Sequence, residues 1–411
     1  MRCSRNRQGW KKRSRSSCRG YGMSEWEQTT VGRFISLQRG YDLTEDEREP
    51  GNVPVMGAAG QNGFHNRALA PAPGIIMGRC GGSFGQIHFA NEDFWPHNTA
   101  MFVTDFKGND PYFAYYFLKN LDFSKLNSGS AQPSLNRNYV YPIKISVPLP
   151  AAQKKIANVL STLDAKIDCN NCINAELEAM AKTLYDYWFV QFDFPDANGK
   201  PYKSSGGKMV YNAMLKREIP IGWDAVQLDE IVDEVRDNVT PMDLDGNTPY
   251  IGLEHIARKS IVLENWALAE KATSNKTAFC AGDILFGKIR PYFHKVGFAM
   301  MDGIASTDAI VMRARNASLV GLALQTVFSD RFVEAATASS TGSKMPRADW
   351  SVLKQYGVAL PNYATQTLLS YQQLFNLAIT KIERHVRENR ELTQLRDWLL
   401  PLLMNGQVTV A

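Results

Sequence analysis

Two cysteines, Cys169 and Cys172, stand at C-x-x-C spacing inside the run KIDCNNCINAEL and are the first residues in the chain that invite chemistry. A structural zinc needs four ligands, and no second pair of Cys or His lies at ligand spacing nearby. A redox dithiol gains its reactivity at a helix N-terminus, whereas this pair falls in the middle of a helical heptad pattern. The run KIERHVRENREL, from Lys381 to Leu392, keeps the K-I-acid start and the N-x-E-L end of the same pattern and has no sulfur. What is repeated is a helix face, and metal or redox use is not implied. Other catalytic signatures are missing from the sequence: there is no G-x-x-x-x-G-K-[ST] phosphate loop, no G-x-S-x-G elbow, no H-E-x-x-H and no Asn/Asp-Pro-Pro-Tyr base clamp. The six histidines, His65, His88, His97, His255, His294 and His385, fall at no equivalent places in the two halves and read as surface or packing residues. What remains are amides, hydroxyls and cations in glycine-rich loops, which suit recognition rather than catalysis.

The elements that would hold those loops occur twice in the same order. WEQTTVGRFISLQRG answers to GWDAVQLDEIVDEVRD, and PAPGIIMGRCGGSFG to CAGDILFGKIRPYF. NTAMFV then answers to TDAIVM, SGSAQPSLN to TGSKMPRAD, and ISVPLP to YGVALP. A long helix follows each final proline. One match could be chance, but an ordered set signals an internal repeat. The predicted architecture is α+β: two mixed α/β globules of short strands and glycine turns, separated by two long antiparallel coiled-coil helices in a pseudo-twofold arrangement.

In the first helix, positions 156, 160, 163, 167, 170, 174, 177, 181, 184 and 188 alternate spacings of four and three, a coiled-coil seam over four heptads. Leu160, Leu163, Ile167, Asn174, Leu177 and Leu184 are its predicted pairing residues. Phe375, Ile382, Asn389, Leu392 and Leu399 present the same stripe in the second helix. A stripe of this kind needs a partner, and two in one chain most simply bury each other. Asn174 and Asn389 sit at equivalent seam positions, where a polar residue lowers stability but fixes register. The aromatic cluster Tyr185, Tyr187, Trp188, Phe189, Phe192 and Phe194 reads as packing at the helix end, and residues 194–208 as a surface connector.

The 411 residues are 44% hydrophobic and 21% charged, with no apolar run long enough for a bilayer and six scattered cysteines, which fits a reducing cytoplasm. Eight of the 46 basic side chains lie in residues 1–22 without an acidic one, so residues 23–411 hold 38 basic against 41 acidic groups. The body is not basic, and residues 1–22 read as a disordered basic extension. The expected domains are 23–150 (first globule), 151–190 (central helix), 191–361 (connector and second globule) and 362–405 (C-terminal helix).

Two unlike globules, each followed by a matched helix, resemble the specificity subunit of type I restriction-modification systems. The likeness is closest in LPAAQKKIANVLSTLDAKID and in INAELEAMAKTLYDYWFVQFDFPDANGKPYKSSGGKMVYN, and runs from about Met23 to Gln407. The resemblance implies a subunit that is not itself an enzyme. Each globule would be a target recognition domain reading one half of a bipartite site in double-stranded DNA. The helices would act as spacer and dock two methyltransferase subunits, and through them the restriction subunits. S-adenosylmethionine, ATP and magnesium would belong to those partners, with no cofactor in this chain. The loops after the GIIM and GDIL strands and the G-S loops then supply the candidate DNA contacts. They are Arg79, Ser83, Gln86, Gln132, Asn136 and Arg137 in the first globule, and Lys288, Arg290, His294, Lys295, Lys344 and Arg347 in the second. The rival reading is a protein-interaction scaffold with the same coiled coil and no DNA role.

Overall fold

A computed structural model describes residues 26–127, 133–362 and 365–410. The basic extension 1–22 and Gln132 lie outside the described residues. The chain divides into two compact units, Met1–Asp164 with Gln394–Ala411, and Ala165–Thr393.

In the first unit, β1 (Trp26–Thr30), α1 (Val31–Phe34), β2 (Ser36–Arg39), β3 (Val53–Gly57), β4 (Gly60–His65), β5 (Gly74–Gly78), β6 (Ile87–Ala90), β7 (Trp95–Pro96) and β8 (Ala100–Asp105) lead to α2 (Pro111–Lys119). Then follow α3 (Arg137–Val140), β9 (Lys144–Pro148) and α4 (Pro150–Tyr185). The core sheet has the order β2-β8-β5-β6, and β5, GIIMG, is buried at every position as its unbroken apolar run requires. A smaller sheet, β4-β3-β7, contains the parallel pair β3·β7. Helix α2 starts where Pro111 follows Asp110, whose carboxylate accepts from the Phe113 amide. Antiparallel β1 and β9 clasp the globule, with Trp26 opposite Pro148.

The second unit repeats this plan. Its strands are β10 (Met209–Asn212), β11 (Arg217–Pro220), β12 (Trp223–Gln227), β13 (Val232–Val235), β14 (Asn238–Val239), β15 (Pro249–Ile251), β16 (Ala267–Leu268) and β17 (Lys276–Phe279). They continue with β18 (Ile284–Gly287), β19 (Val296–Phe298), β20 (Gly303–Ala305) and β21 (Ala309–Ala314). Helices α5 (Val320–Phe328), α6 (Asp330–Ala338) and α7 (Trp350–Leu353) precede β22 (Gly357–Pro361) and α8 (Gln366–Met404). The sheet β13-β21-β18-β19 repeats β2-β8-β5-β6 strand for strand, and the parallel pair β15·β20 repeats β3·β7. The clasp recurs as β12·β22, with Trp223 opposite Pro361. Every strand match expected from the sequence falls in this shared frame. Antiparallel β16 stands beside β15 as β4 does beside β3, and the β10·β11 hairpin and the strands β14 and β17 are additions of the second globule.

Each unit takes in one end of each long helix. Ile156, Ala157 and Leu160 from the start of α4 join Leu403 and Met404 from the end of α8 in the first core. There the Tyr116 hydroxyl donates to the Asp164 carboxylate at 2.5 Å, and Arg396 donates to the same carboxylate at 2.7 Å. Burial and this bond push the Tyr116 phenol well above its usual range. In the second core, Tyr185 of α4 and Trp188 and Phe189 of the π-helical turn Asp186–Val190 that follows it meet Leu368, Tyr371 and Phe375 of α8. Phe375, a predicted pairing residue, stands against Gly321 and the Phe298 ring of the globule.

Between these ends, within the second unit, the helix seam is polar. Asn170 is fully buried and donates to Asn389 at 2.8 Å and to Glu388 at 2.9 Å, while Asn389 donates to Asn171 at 2.7 Å. One turn further, Asn174 shares a 2.8 Å hydrogen bond with His385, whose imidazole burial holds below its ordinary pKa. Partner numbers fall as α4 numbers rise, so the helices run antiparallel. Ile382 is buried, and Leu163, Ile167, Leu177, Leu184, Leu392 and Leu399 are half-buried. Asn174 and Asn389 both lie in the seam but answer to different partners, because antiparallel packing sets position 174 against 385 and 170 against 389. Cys169 and Cys172 are exposed.

Candidate nucleic-acid interface

The candidate loops in both globules hang on one backbone frame. At the end of β5 the Gly78 amide donates to Gln86 at 2.7 Å; at the end of β18 the Gly287 amide donates to Lys295 at 2.9 Å. The next amides, Arg79 and Lys288, donate to Thr99 and Asp308, both at 3.0 Å. The carbonyls of Arg79 and Lys288 accept from Leu135 at 2.8 Å and Ala348 at 2.9 Å, which draws the second loop against the first. Gly81 donates to Pro133 at 3.2 Å, and Arg290 to Pro346 at 2.7 Å. The second loop ends in a capped helix in both cases: Asn136 accepts from the Asn138 amide and Asp349 from the Ser351 amide. The matching bonds of the two frames are made by main chain and by caps, which leaves many of the loop side chains free to differ.

They differ most at two left-handed positions. Gly81 (φ 72°) and Gly85 (φ 75°) correspond to Arg290 (φ 50°) and His294 (φ 52°). A side chain at positive φ costs on the order of 1–2 kcal/mol, which glycine avoids. The second globule therefore keeps two large side chains where the backbone favours none, and strain of this kind concentrates at functional sites.

Several candidate contacts are already occupied within the protein. His294 is buried, its Nε2 lies 2.8 Å from the Phe328 carbonyl and its Nδ1 3.5 Å from Asp330; burial lowers its pKa. The expectation that it reaches a base is corrected, since its ring is sealed against α5 and α6. Lys295 is half-buried with its amine on the Leu253 carbonyl, so it ties two loops together. Asn136 spends its side-chain oxygen on the helix cap, Arg137 donates to Leu37 at 3.1 Å, and Arg79 to Asn98 at 3.3 Å. Gln86 is exposed and Ser83 half-buried in the turn Gly81–Ser83. In the second globule Lys288, Arg290, Lys344 and Arg347 converge: Arg290 donates to the Lys344 carbonyl at 3.3 Å, residue 289 bridges residue 347, and Arg347 lies 3.6 Å from Asp308. Lys344 and Arg347 are exposed.

Two cations beside this group carry no mark in the sequence. Arg258 and Lys259 lie in the stretch from Leu253 to Val262 that joins β15 to the rest of the globule, where the first globule has only the tight turn from β3 to β4. Both are exposed, and the Lys259 amide donates to the His294 carbonyl at 2.9 Å. A dipeptide of this composition is most often a solvated turn, and here the pairing of Arg258 with Lys295 and the Lys259 amide bond draw it to the site.

No group of three or more His, Cys, Asp or Glu able to hold a metal occurs among the described residues, and no described helix is long and apolar enough to cross a membrane.

Two globules on one frame, each joined to a pair of antiparallel helices, define a class of protein with two unlike heads and a helical spacer. Residues 23–179 match the family described as the type I restriction modification DNA specificity domain. The chain is 24% identical to the type I restriction enzyme MjaIX specificity subunit of Methanocaldococcus jannaschii, over 72% of this chain and 69% of that one. It is also 24% identical to the EcoDI specificity subunit of Escherichia coli, over 72% of this chain and 70% of the other. The crystal structure of a type I restriction-modification S subunit from M. genitalium aligns over 93% of this chain and 97% of its own, with a TM-score of 0.58 and 17% identity. Residues 23–179 thus resemble the DNA specificity domain of type I restriction-modification systems, and along 72% of its length the chain is similar to specificity subunits of type I restriction enzymes.

Proposed function

We propose that this chain reads a bipartite sequence in double-stranded DNA, with the globule of residues 23–150 reading one block and that of residues 191–361 the other. The helices of residues 151–190 and 362–405 act as spacer and as docking surface for two methyltransferase subunits, and through them for restriction subunits. The chain is non-catalytic and works in the cytoplasm; S-adenosylmethionine, ATP and magnesium are bound by those partners. One observation carries the reading: the same loop frame is built twice, on four matching main-chain hydrogen bonds, and furnished with different side chains. A frame that is repeated while its side chains change suits two recognition elements of unlike specificity. A continuous helix over residues 151–189 would run roughly 58 Å at ~1.5 Å per residue, enough to leave unread base pairs between two short blocks.

The test is to express the chain with its methyltransferase subunits in a host without modification and to sequence the methylated adenines. A single two-block motif with a fixed gap is the expected result. No methylated motif, or a continuous one, overturns the reading and favours a scaffold.

A further inference from the structure

The second globule concentrates cations that the first lacks. Its three segments, 253–262, 288–295 and 341–349, hold Arg258, Lys259, Lys288, Arg290, Lys295, Lys344 and Arg347; the corresponding loops 79–86 and 127–137 of the first hold only Arg79 and Arg137. Within this group two guanidinium groups converge on one ring: Arg258 lies 3.9 Å from the centroid of Phe293, and Arg290 5.9 Å from the same centroid. Like charges repel, so bringing two together without a counter-charge has to be offset elsewhere. Arg313 and Arg347 of the same unit are neutralised by Asp283 and Asp308, whereas Arg258 and Arg290 form no ion pair among the described residues. The Arg290 Nε is buried and has no hydrogen-bond partner.

The loop carrying Arg258 is held in place from both sides. Arg258 pairs with Lys295 as an antiparallel bridge, the Lys295 amine grips the Leu253 carbonyl, and the Lys259 amide donates to His294. From the helix side, Glu178 of α4 accepts from the Ser260 hydroxyl at 2.9 Å and from the Ile261 amide at 2.6 Å. Burial and the Arg258 charge lower the Lys295 pKa, with Glu254 opposing, as expected beside an unneutralised cation. An arginine fork pre-oriented on an aromatic face and lacking a carboxylate matches the geometry of a phosphate oxyanion.

We propose that Arg258, Phe293 and Arg290 form a clamp for one backbone phosphate of the DNA bound by the second globule, so that this globule anchors the duplex while the first, with its bare glycine turn, does not. The clamp rests on the DNA-reading function proposed above and adds to it a division of labour between the heads. A phosphate contact positions without reading sequence, so its removal weakens every duplex alike.

The experiment uses the full chain with its methyltransferase subunits and measures Kd for a cognate and a scrambled duplex across a potassium chloride series. With Arg258→Gln, affinity for both duplexes should fall by the same several-fold factor, and the slope of log K against log salt should fall by about 0.9. Arg258→Gln with Arg290→Gln should double that change, and Arg258→Lys should keep most of the slope. Thermal unfolding midpoints equal to the wild type show that the variants fold. If wild-type complex binds and the slope is unchanged in the variants, the clamp is overturned and DNA reading stands. A loss confined to the cognate duplex also overturns it, since Arg258 would then read a base. If wild-type complex binds neither duplex, both proposals fall.

Discussion

The two loops that follow β5 and β18 make an instructive pair, because their main chains share four matching hydrogen bonds and their side chains share almost nothing. In the first, Gly81 and Gly85 occupy the left-handed positions and leave the surface bare; in the second, Arg290 projects a cation and His294 plugs the space beneath it. The fold is thus specified by strands, turns and caps, and the loop side chains are laid on top of it with little feedback. Arg290 and His294 are the exceptions, since each accepts backbone strain to stand where it does.

The strongest way to break this comparison is to exchange heads. Replacing residues 23–150 with the corresponding segment of another specificity subunit should change one block of the methylated motif completely and leave the other block as it was, read by sequencing modified adenines. If both blocks change, the heads are not independent readers.

A smaller effect separates the two frames at a single equivalent position. A Cβ added at Gly78 would lie 2.0 Å from the Ser83 carbonyl oxygen and 2.8 Å from that of Ala58, both main-chain atoms. At Gly287 it would meet Leu253 Cδ2 and Lys295 Cβ, each at 3.2 Å. Gly78→Ala should therefore cost roughly 3 kcal/mol or more, while Gly287→Ala should cost about 1 kcal/mol or less, as measured by denaturant unfolding. Equal losses would mean that the first loop is no tighter than the second.

The smallest effect is on pH dependence. Burial lowers the pKa of His294 and of His385, so the folded chain resists taking up protons that the unfolded chain accepts. Stability is then full above the unfolded imidazole value of about 6.5 and declines as pH falls below it. His294→Asn, which tolerates the left-handed backbone, and His385→Gln should each flatten that decline, as read by denaturant unfolding across a pH series. The position equivalent to His294 is Gly85, so the first head contributes nothing at this site. A decline unaltered in both variants would place the titration elsewhere.

Much of this organisation is legible in the sequence, and the physical reasons are specific. GIIMG and ILFG announce buried strands because an unbroken apolar run has only the core to occupy, and the four-three spacing of α4 and α8 announces their shared seam. Side-chain destinations are less legible. His294 looks like a loop donor because the neighbours that bury it, Phe328 and Asp330, lie on helices that follow far along the chain. Lys295 reads as a free cation until the insertion at 253–262 brings the Leu253 carbonyl to it. Asn170 and His385 acquire meaning only when antiparallel packing sets them against Asn389 and Asn174, since sequence periodicity gives a stripe but no register between partners. Arg258 escapes notice for the same reason: what marks it is the Phe293 ring, and that ring lies on another loop.

The left-handed seat shared by Gly81 and Arg290 has a consequence for how such a protein diversifies over generations. Codons for glycine and arginine differ by a single base, and the seat tolerates either residue because main-chain bonds close the loop around it. Point mutation could thus move a head between a bare surface and a charged one in one step, without passing through a misfolded ancestor, so that on the clamp proposed above the strength of a lineage's grip, and not its choice of sequence, would drift while its architecture stays put.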